Sequence, residues 1–205
     1  MKVGTSRLEA FSDGVFAVAI TLLVLQLGVP EVASGHLLGA LLNQWPLLAT
    51  YCASFLTIGV IWVNHHSVFS YVERTDRTLQ FLNLLLLLCI VLIPYPTSLL
   101  GRYLLAGHDA QVAAAAYGLV MTLMGAAFGA LWGYATARPA LLRPDVDGDR
   151  ARATRLRFWL GNLVYAASIG LAWLSPFLVV LLYVVTAIYY AFDQIPMAAP
   201  DAEVR

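Results

Sequence analysis

The sequence predicts an all-α integral membrane protein with six transmembrane helices, and three observations carry that prediction. Hydrophobic residues make up 60% of the chain and charged residues 12%, with a mean hydropathy of +0.77, far from the roughly half apolar, quarter charged make-up of a soluble domain. The apolar residues gather into six stretches, each near the roughly 20 residues that a helix needs to cross about 30 Å of hydrocarbon. The cations lie almost wholly on one of the two sides that those stretches define.

The first span covers about residues 8 to 28 and is closed by Pro30. The second runs from about 44 to 70, and Arg74-Thr75-Asp76 separates it from the third, about 78 to 100. Gly107-His108-Asp109 leads into the fourth, about 111 to 136. Residues 138 to 157 are polar and predict a cytoplasmic loop. The apolar run beyond it is too long for one crossing. It divides at Ser175-Pro176, because proline breaks a helix interior, into spans of about 157 to 174 and 176 to 194. Residues 1 to 205 are thus expected to form a single six-helix transmembrane domain.

With the amino terminus in the cytoplasm, Lys2, Arg7, Arg74, Arg77, Arg138, Arg143, Arg150, Arg152, Arg155, Arg157 and Arg205 all fall inside, and Arg102 alone falls outside. This asymmetry sets both termini in the cytoplasm of a multi-pass cell-membrane protein. Trp45, Trp132, Trp159 and Trp173 sit near span ends, where an aromatic belt belongs, whereas Trp62 does not. A cleaved signal peptide is the rival reading of residues 1 to 34, and Glu9 and Asp13 argue against it. The formal net charge of zero offers no case for a nucleic-acid partner. Cys52 and Cys89 lie inside apolar runs and read as small buried side chains rather than a disulfide or a metal site.

Alternate spans run in opposite directions, so the start of the first, the end of the second and the start of the third share the cytoplasmic side. Those places hold Ser12 and Asp13; Asn64, His65 and His66, with Trp62 one turn deeper; and Asn83. Ionisable side chains inside a membrane face a partner or water. For Asp13 the candidates are Arg7, about 120° round its own helix, and a histidine of the His65/His66 pair, with Asn83 filling the remaining hydrogen-bond sites. The expectation is a polar cluster that locks the first helix to the second and third.

No catalytic constellation is visible. Adjacent histidines point about 100° apart on a helix, H-E-x-x-H is absent, His36 and His108 fall in outer loops, and Ser12 and Ser175 lack the glycines of a nucleophile elbow. No cofactor or resident metal is expected. Gly125, Gly129 and Gly133 repeat at four-residue spacing, which suits close helix packing. On the first helix, Val18, Thr21 and Leu25 share one stripe with Leu22 beside it; by spacing alone this is a packing face whose threonine bonds back to its own helix.

The stretch RLEAFSDGVFAVAITLLVLQL carries an R-x-x-x-F-S-D pattern as Arg7, Phe11, Ser12 and Asp13. It resembles the endosomal and lysosomal potassium channel family and its bacterial homologues, and IWVNHHSVF and NLLLLLCIVLIPYPTSLL are similar to that family's second and third helices. The resemblance implies a homotetramer of six-helix subunits, set in the lipid bilayer and permeable to potassium and other monovalent cations. Its first helices line the pore, and it has no carbonyl filter; the nearest string to T-V-G-Y-G is WGYAT at 132 to 136. By position after the F-S-D motif, the apolar constriction falls on Val18 and Leu25 and a hydroxyl layer on Thr21, with Leu22 alongside. Related channels often have isoleucine or leucine where this chain has Val18. Arg7, Phe11, Ser12, Asp13, Trp62, Asn64, His65, His66 and Asn83 would hold the pore helix in register. The competing class is a carrier or membrane-embedded enzyme that uses Asp13 and His65/His66 as a proton relay.

Overall fold

The computed structural model describes residues 4–191, with side chains at all of these except 149, 150 and 157. Lys2, Arg205 and the side chains of Arg150 and Arg157, all counted above as cytoplasmic cations, lie outside that description.

Among the described residues every regular element is a helix. Helix α1 spans Ser6–Leu22 and tightens into a 3₁₀ turn at Val24–Gln26; α2 is short, Leu37–Asn43; α3 spans Trp45–Ser70, α4 Arg77–Leu92, α5 Pro94–Tyr103, α6 His108–Thr136, α7 Gly148–Leu174 and α8 Pro176–Ala191. Among the described residues four segments are long and apolar enough to cross a membrane: Ser6–Gln26, Trp45–Ser70, Arg77–Tyr103 and His108–Thr136. The third of these joins α4 to α5, where Pro94 and Pro96 lack backbone donors and interrupt the ladder while Ile93 keeps helical angles. Helix α8 is a shorter apolar helix.

The polar stretch expected as a loop from 138 to 157 is helical from Gly148 onward. Its alanines and arginines are good helix formers, and tertiary contacts fix it: Ala151 and Thr154 are buried, Trp132 Nε1 donates to Thr154 Oγ1 at 2.8 Å, and Arg155 Nε donates to Thr136 Oγ1 at 2.6 Å. Polarity marked this stretch as lying outside the hydrocarbon; it did not decide its secondary structure.

Helices α6 and α7 pack closely through glycines that face α7. A Cβ on Gly118 would stand 2.8 Å from Ser168 Oγ, and one on Gly125 2.5 Å from Asn162 Oδ1. Gly129 faces Trp159, but Gly133, expected on the same packing seam, meets nothing within 4 Å; the seam extends toward Gly118 instead. Hydroxyl contacts add polar rungs across the bundle. Ser54 Oγ bonds Thr97 Oγ1 and Tyr117 Oη, each at 2.8 Å, and Ser168 Oγ bonds Tyr183 Oη at 2.6 Å. Cys52 and Cys89 are free thiols, Cys52 exposed and Cys89 buried.

At the end of the bundle where α3 gives way to α4, Asp76 caps α4 by accepting from Leu79 N at 2.8 Å. Its other oxygen accepts from Tyr134 Oη at 2.7 Å and lies 3.7 Å from Arg138 Nη1. The chain after α3 pairs with the chain after α6 through an antiparallel bridge, Val72 to Leu142. Partial burial raises the pKa of Asp76, but the bonds from Leu79 and Tyr134 and the nearby Arg138 outweigh it and hold the carboxyl below its ordinary value of 3.8. Its contribution to stability is therefore complete above that value and is lost as pH falls through the lower, folded one. Asp76→Ala is expected to cost about 0.5–2 kcal/mol, read as a lower midpoint in thermal unfolding at pH 7. The difference from wild type should be the same at pH 5.5 and should shrink only in strong acid.

Candidate pore helix and its polar anchor

Helix α1 has two faces of different character. Ser12, Phe16, Ala19 and Leu23, spaced by four, three and four residues, are buried to within 3% exposure. Phe11, Asp13, Gly14, Ala17, Val18, Thr21 and Leu25 are exposed. Over its most apolar stretch only 22% of the α1 segment is buried, against 39%, 56% and 61% in the three other long apolar segments.

One hydrogen-bonded chain fixes the buried face. Ser12 Oγ donates its single proton to Leu8 O at 2.8 Å, so it receives a bond from Asn83 Nδ2 at 2.9 Å. That turns Asn83 Oδ1 toward His65, whose Nε2 lies 2.8 Å away. A carbonyl oxygen only accepts, so Nε2 carries the imidazole proton. Ser12, Asn83 and His65 are each at most 2% exposed. The imidazole is held between the rings of Phe16 and Phe69, at centroid distances of 5.3 and 4.5 Å.

Asp13 takes a different partner from those the sequence suggested. Trp62 Nε1 donates to its Oδ1 at 2.8 Å, and His66 stacks on the Trp62 ring at 6.2 Å. Among the described residues neither Arg7 nor a histidine pairs with this carboxylate. The reason is direction: residues 12 and 13 project about 100° apart, so Ser12 reaches α4 while Asp13 reaches α3 one turn above the histidines. Trp62, which did not fit an aromatic belt, is this donor. Asn64 also parts from the cluster, since its Nδ2 donates to Val60 O and to Tyr190 O of α8 at 2.9 and 3.0 Å. The single proton relay through Asp13 and His65/His66 is not assembled, because His65 and Asp13 belong to separate bonded sets.

On the exposed face, Val18 is 54% and Leu25 73% accessible. Thr21 Oγ1 donates back to Ala17 O and Val18 O, both at 2.9 Å. Leu22 is half-buried on the flank of the stripe, and both it and Leu25 line an open groove beside α5. Leu25 belongs to the 3₁₀ turn rather than to the regular helix. Among the described residues no group of three or more His, Cys, Asp or Glu side chains is placed to hold a metal ion.

Residues 7–94, the part that contains this helix and its anchor, match the family described as endosomal/lysosomal potassium channel TMEM175. A potassium channel of Streptomyces collinus is 50% identical over 199 residues, covering 97% of each chain. The chain belongs to the TMEM175 family. The crystal structure of a lysosomal potassium-selective channel TMEM175 homolog from Chamaesiphon minutus superposes with a TM-score of 0.83 at 38% identity, covering 93% of this chain and 97% of that one. The endosomal/lysosomal proton channel TMEM175 of Gallus gallus is 37% identical over 136 residues, 62% of this chain and 27% of that protein. Membership in a family of channels removes the enzyme alternative.

The anchor makes a direct prediction. Asn83→Leu strands the Nε2 proton of His65 and the Ser12 acceptor, at about 1–3 kcal/mol for each buried group left unpaired. Asp13→Asn keeps an acceptor for Trp62 and should cost far less. Thermal unfolding in one detergent ranks the two, with the Asn83 variant clearly the less stable.

Proposed function

We propose that the chain is one subunit of a homotetrameric, potassium-permeable channel of the cell membrane, in which four copies of α1 line a central pore. The observation that carries this reading is the exposed stripe of α1, with Val18, Thr21 and Leu25 opposite the anchored face. The apolar half of α7 and helix α8 complete six spans per subunit, with both termini in the cytoplasm. The names of the Streptomyces and Chamaesiphon relatives support potassium as the permeant ion.

The mechanism follows from the side chains. Rings of Val18 and Leu25 form a dry constriction when α1 helices are close, and ions pass when the helices splay enough for water to enter. Thr21 spends its proton on its own helix, which leaves the oxygen lone pairs for a cation that has shed part of its hydration shell. The WGYAT string lies in the last turns of α6, with Trp132 buried, so it supplies no re-entrant row of carbonyls. Preference for potassium over sodium is accordingly modest. Arg7, Phe11, Ser12, Asp13, Trp62, His65, His66 and Asn83 hold subunits and pore helix in register without touching the ion, and Asn64 ties α3 to α8. No cofactor and no nucleic acid takes part.

Purified protein in a planar bilayer with potassium on one side and sodium on the other tests this reading. Unitary current steps that reverse on the potassium side of zero are expected. Smooth transport without steps contradicts it, and a current carried by protons alone replaces potassium with the ion named for the Gallus relative.

Two substitutions separate the parts of the pore. Thr21→Val keeps shape and removes the oxygen, so the reversal potential should move toward zero while folded yield is unchanged. Leu25→Asn puts a polar ring at the outer constriction, so potassium flux into liposomes, measured per folded tetramer, should rise and discrimination should weaken. On a lipid-facing surface the same amide would cost several kcal/mol and reduce folded protein with no gain in flux.

A further inference from the structure

On the far side of α3 from α1, helices α3, α6, α7 and α8 line a half-open pocket with about 50 Å³ of interior space. Much of its wall is apolar, from Met124, Phe128 and Phe158. Asn162 of α7 lines it, and among the described residues the buried Oδ1 of that side chain has no hydrogen-bond partner. Gly125 of α6 faces this oxygen so closely that a Cβ there would stand 2.5 Å from it, and a glycine offers no side-chain donor. Neighbouring polar groups on α3 are spent elsewhere: Thr57 Oγ1 donates to Ala53 O at 2.8 Å, and Asn64 Nδ2 donates to two backbone carbonyls.

A buried acceptor without a donor is destabilising, and polar cavities with room for a guest hold one. A cavity of roughly 150 Å³ takes a benzene molecule, so a third of that volume has room for about two non-hydrogen atoms, and a longer tail extends through the open side. No carboxylate is among the lining residues, so a cation would find no counter-charge there. Tyr165 and Tyr190 also line the pocket, but neither hydroxyl bonds Asn162 Oδ1, so that oxygen lacks a donor and has apolar surface beside it.

We propose that this cavity binds a single small hydroxyl donor, which gives its O–H to Asn162 Oδ1 and lays any carbon tail against Phe128 and Phe158. Water and a short-chain alcohol supply the same donor, and the experiment tells them apart. The site abuts Asn64 on one face of α3, and the adjacent His65 belongs to the α1 anchor on the other. A guest here therefore lies one helix away from the machinery that sets α1.

Crystals of the full chain soaked in 2-bromoethanol give the direct test. A bromine anomalous peak in the cavity, with an oxygen about 2.7–3.2 Å from Asn162 Oδ1, identifies an alcohol-sized guest. An oxygen peak at that distance without bromine identifies water. A cavity without density overturns the proposal. Asn162→Leu, close in volume but without the acceptor, checks it in solution. Added 2-bromoethanol that binds through the oxygen raises the melting temperature of wild type and not of the variant; an equal rise in both rejects the site, and no rise in either leaves the oxygen density to decide between water and an empty pocket.

Discussion

Helix α1 has one rotational setting in the bundle, and the hydrogen-bonded chain from Ser12 through Asn83 to His65 sets it. Rotating α1 by a single residue position, about 100°, would carry Ser12 away from α4 and leave the Asn83 amide and the Ser12 oxygen short of partners. In a low-dielectric layer no water repairs that loss. The same chain determines what α1 leaves uncovered: with Ser12, Phe16, Ala19 and Leu23 turned inward, Val18, Thr21 and Leu25 face out. The second contact, from Trp62 to Asp13, pins α1 to α3 and so resists tilt as well as rotation. Two anchors on adjacent residues, aimed at two different helices, make the exposed stripe a consequence of the buried one.

The rest of the bundle supports that arrangement. Asp76 and the Val72 to Leu142 bridge tie the ends of α3 and α6 to the start of α4, which places Asn83 two turns along α4 at the depth of Ser12. Glycines at 118 and 125 bring α6 against α7, and the Ser54, Thr97 and Tyr117 hydroxyls join α3, α5 and α6 deeper in the bundle. Dispersion alone distinguishes helix contacts weakly when the surroundings are as apolar as the helices. The polar rungs therefore select which helices meet, and the apolar side chains fill in around them.

Much of this was legible in the sequence, and the parts that were not share a cause. Apolar run lengths located the four long apolar segments, and the R-x-x-x-F-S-D stretch pointed to the family. The common depth of Ser12, Asn83 and the histidines was readable from alternating span direction. Their pairing was not, because depth says nothing about azimuth: Asn64 and His65 are neighbours in sequence yet serve α8 and α4. Trp62 was placed in the polar layer but not as the partner of Asp13, because the bulk of an indole hides its one donor. Gly118 escaped the glycine repeat because seven residues separate it from Gly125, and the polar start of α7 looked like a loop because composition reports the solvent and not the backbone.

The central claim is that the exposed stripe of α1 faces an aqueous ion path. Single cysteines at positions 17 to 25, in a chain whose Cys52 and Cys89 have been replaced by serine and alanine, can be treated with a charged, membrane-impermeant thiol reagent while potassium current is recorded. The account predicts block at 18, 21 and 25 and none at 19 and 23. Block without that periodicity, or reactivity confined to the anchored face, would contradict it.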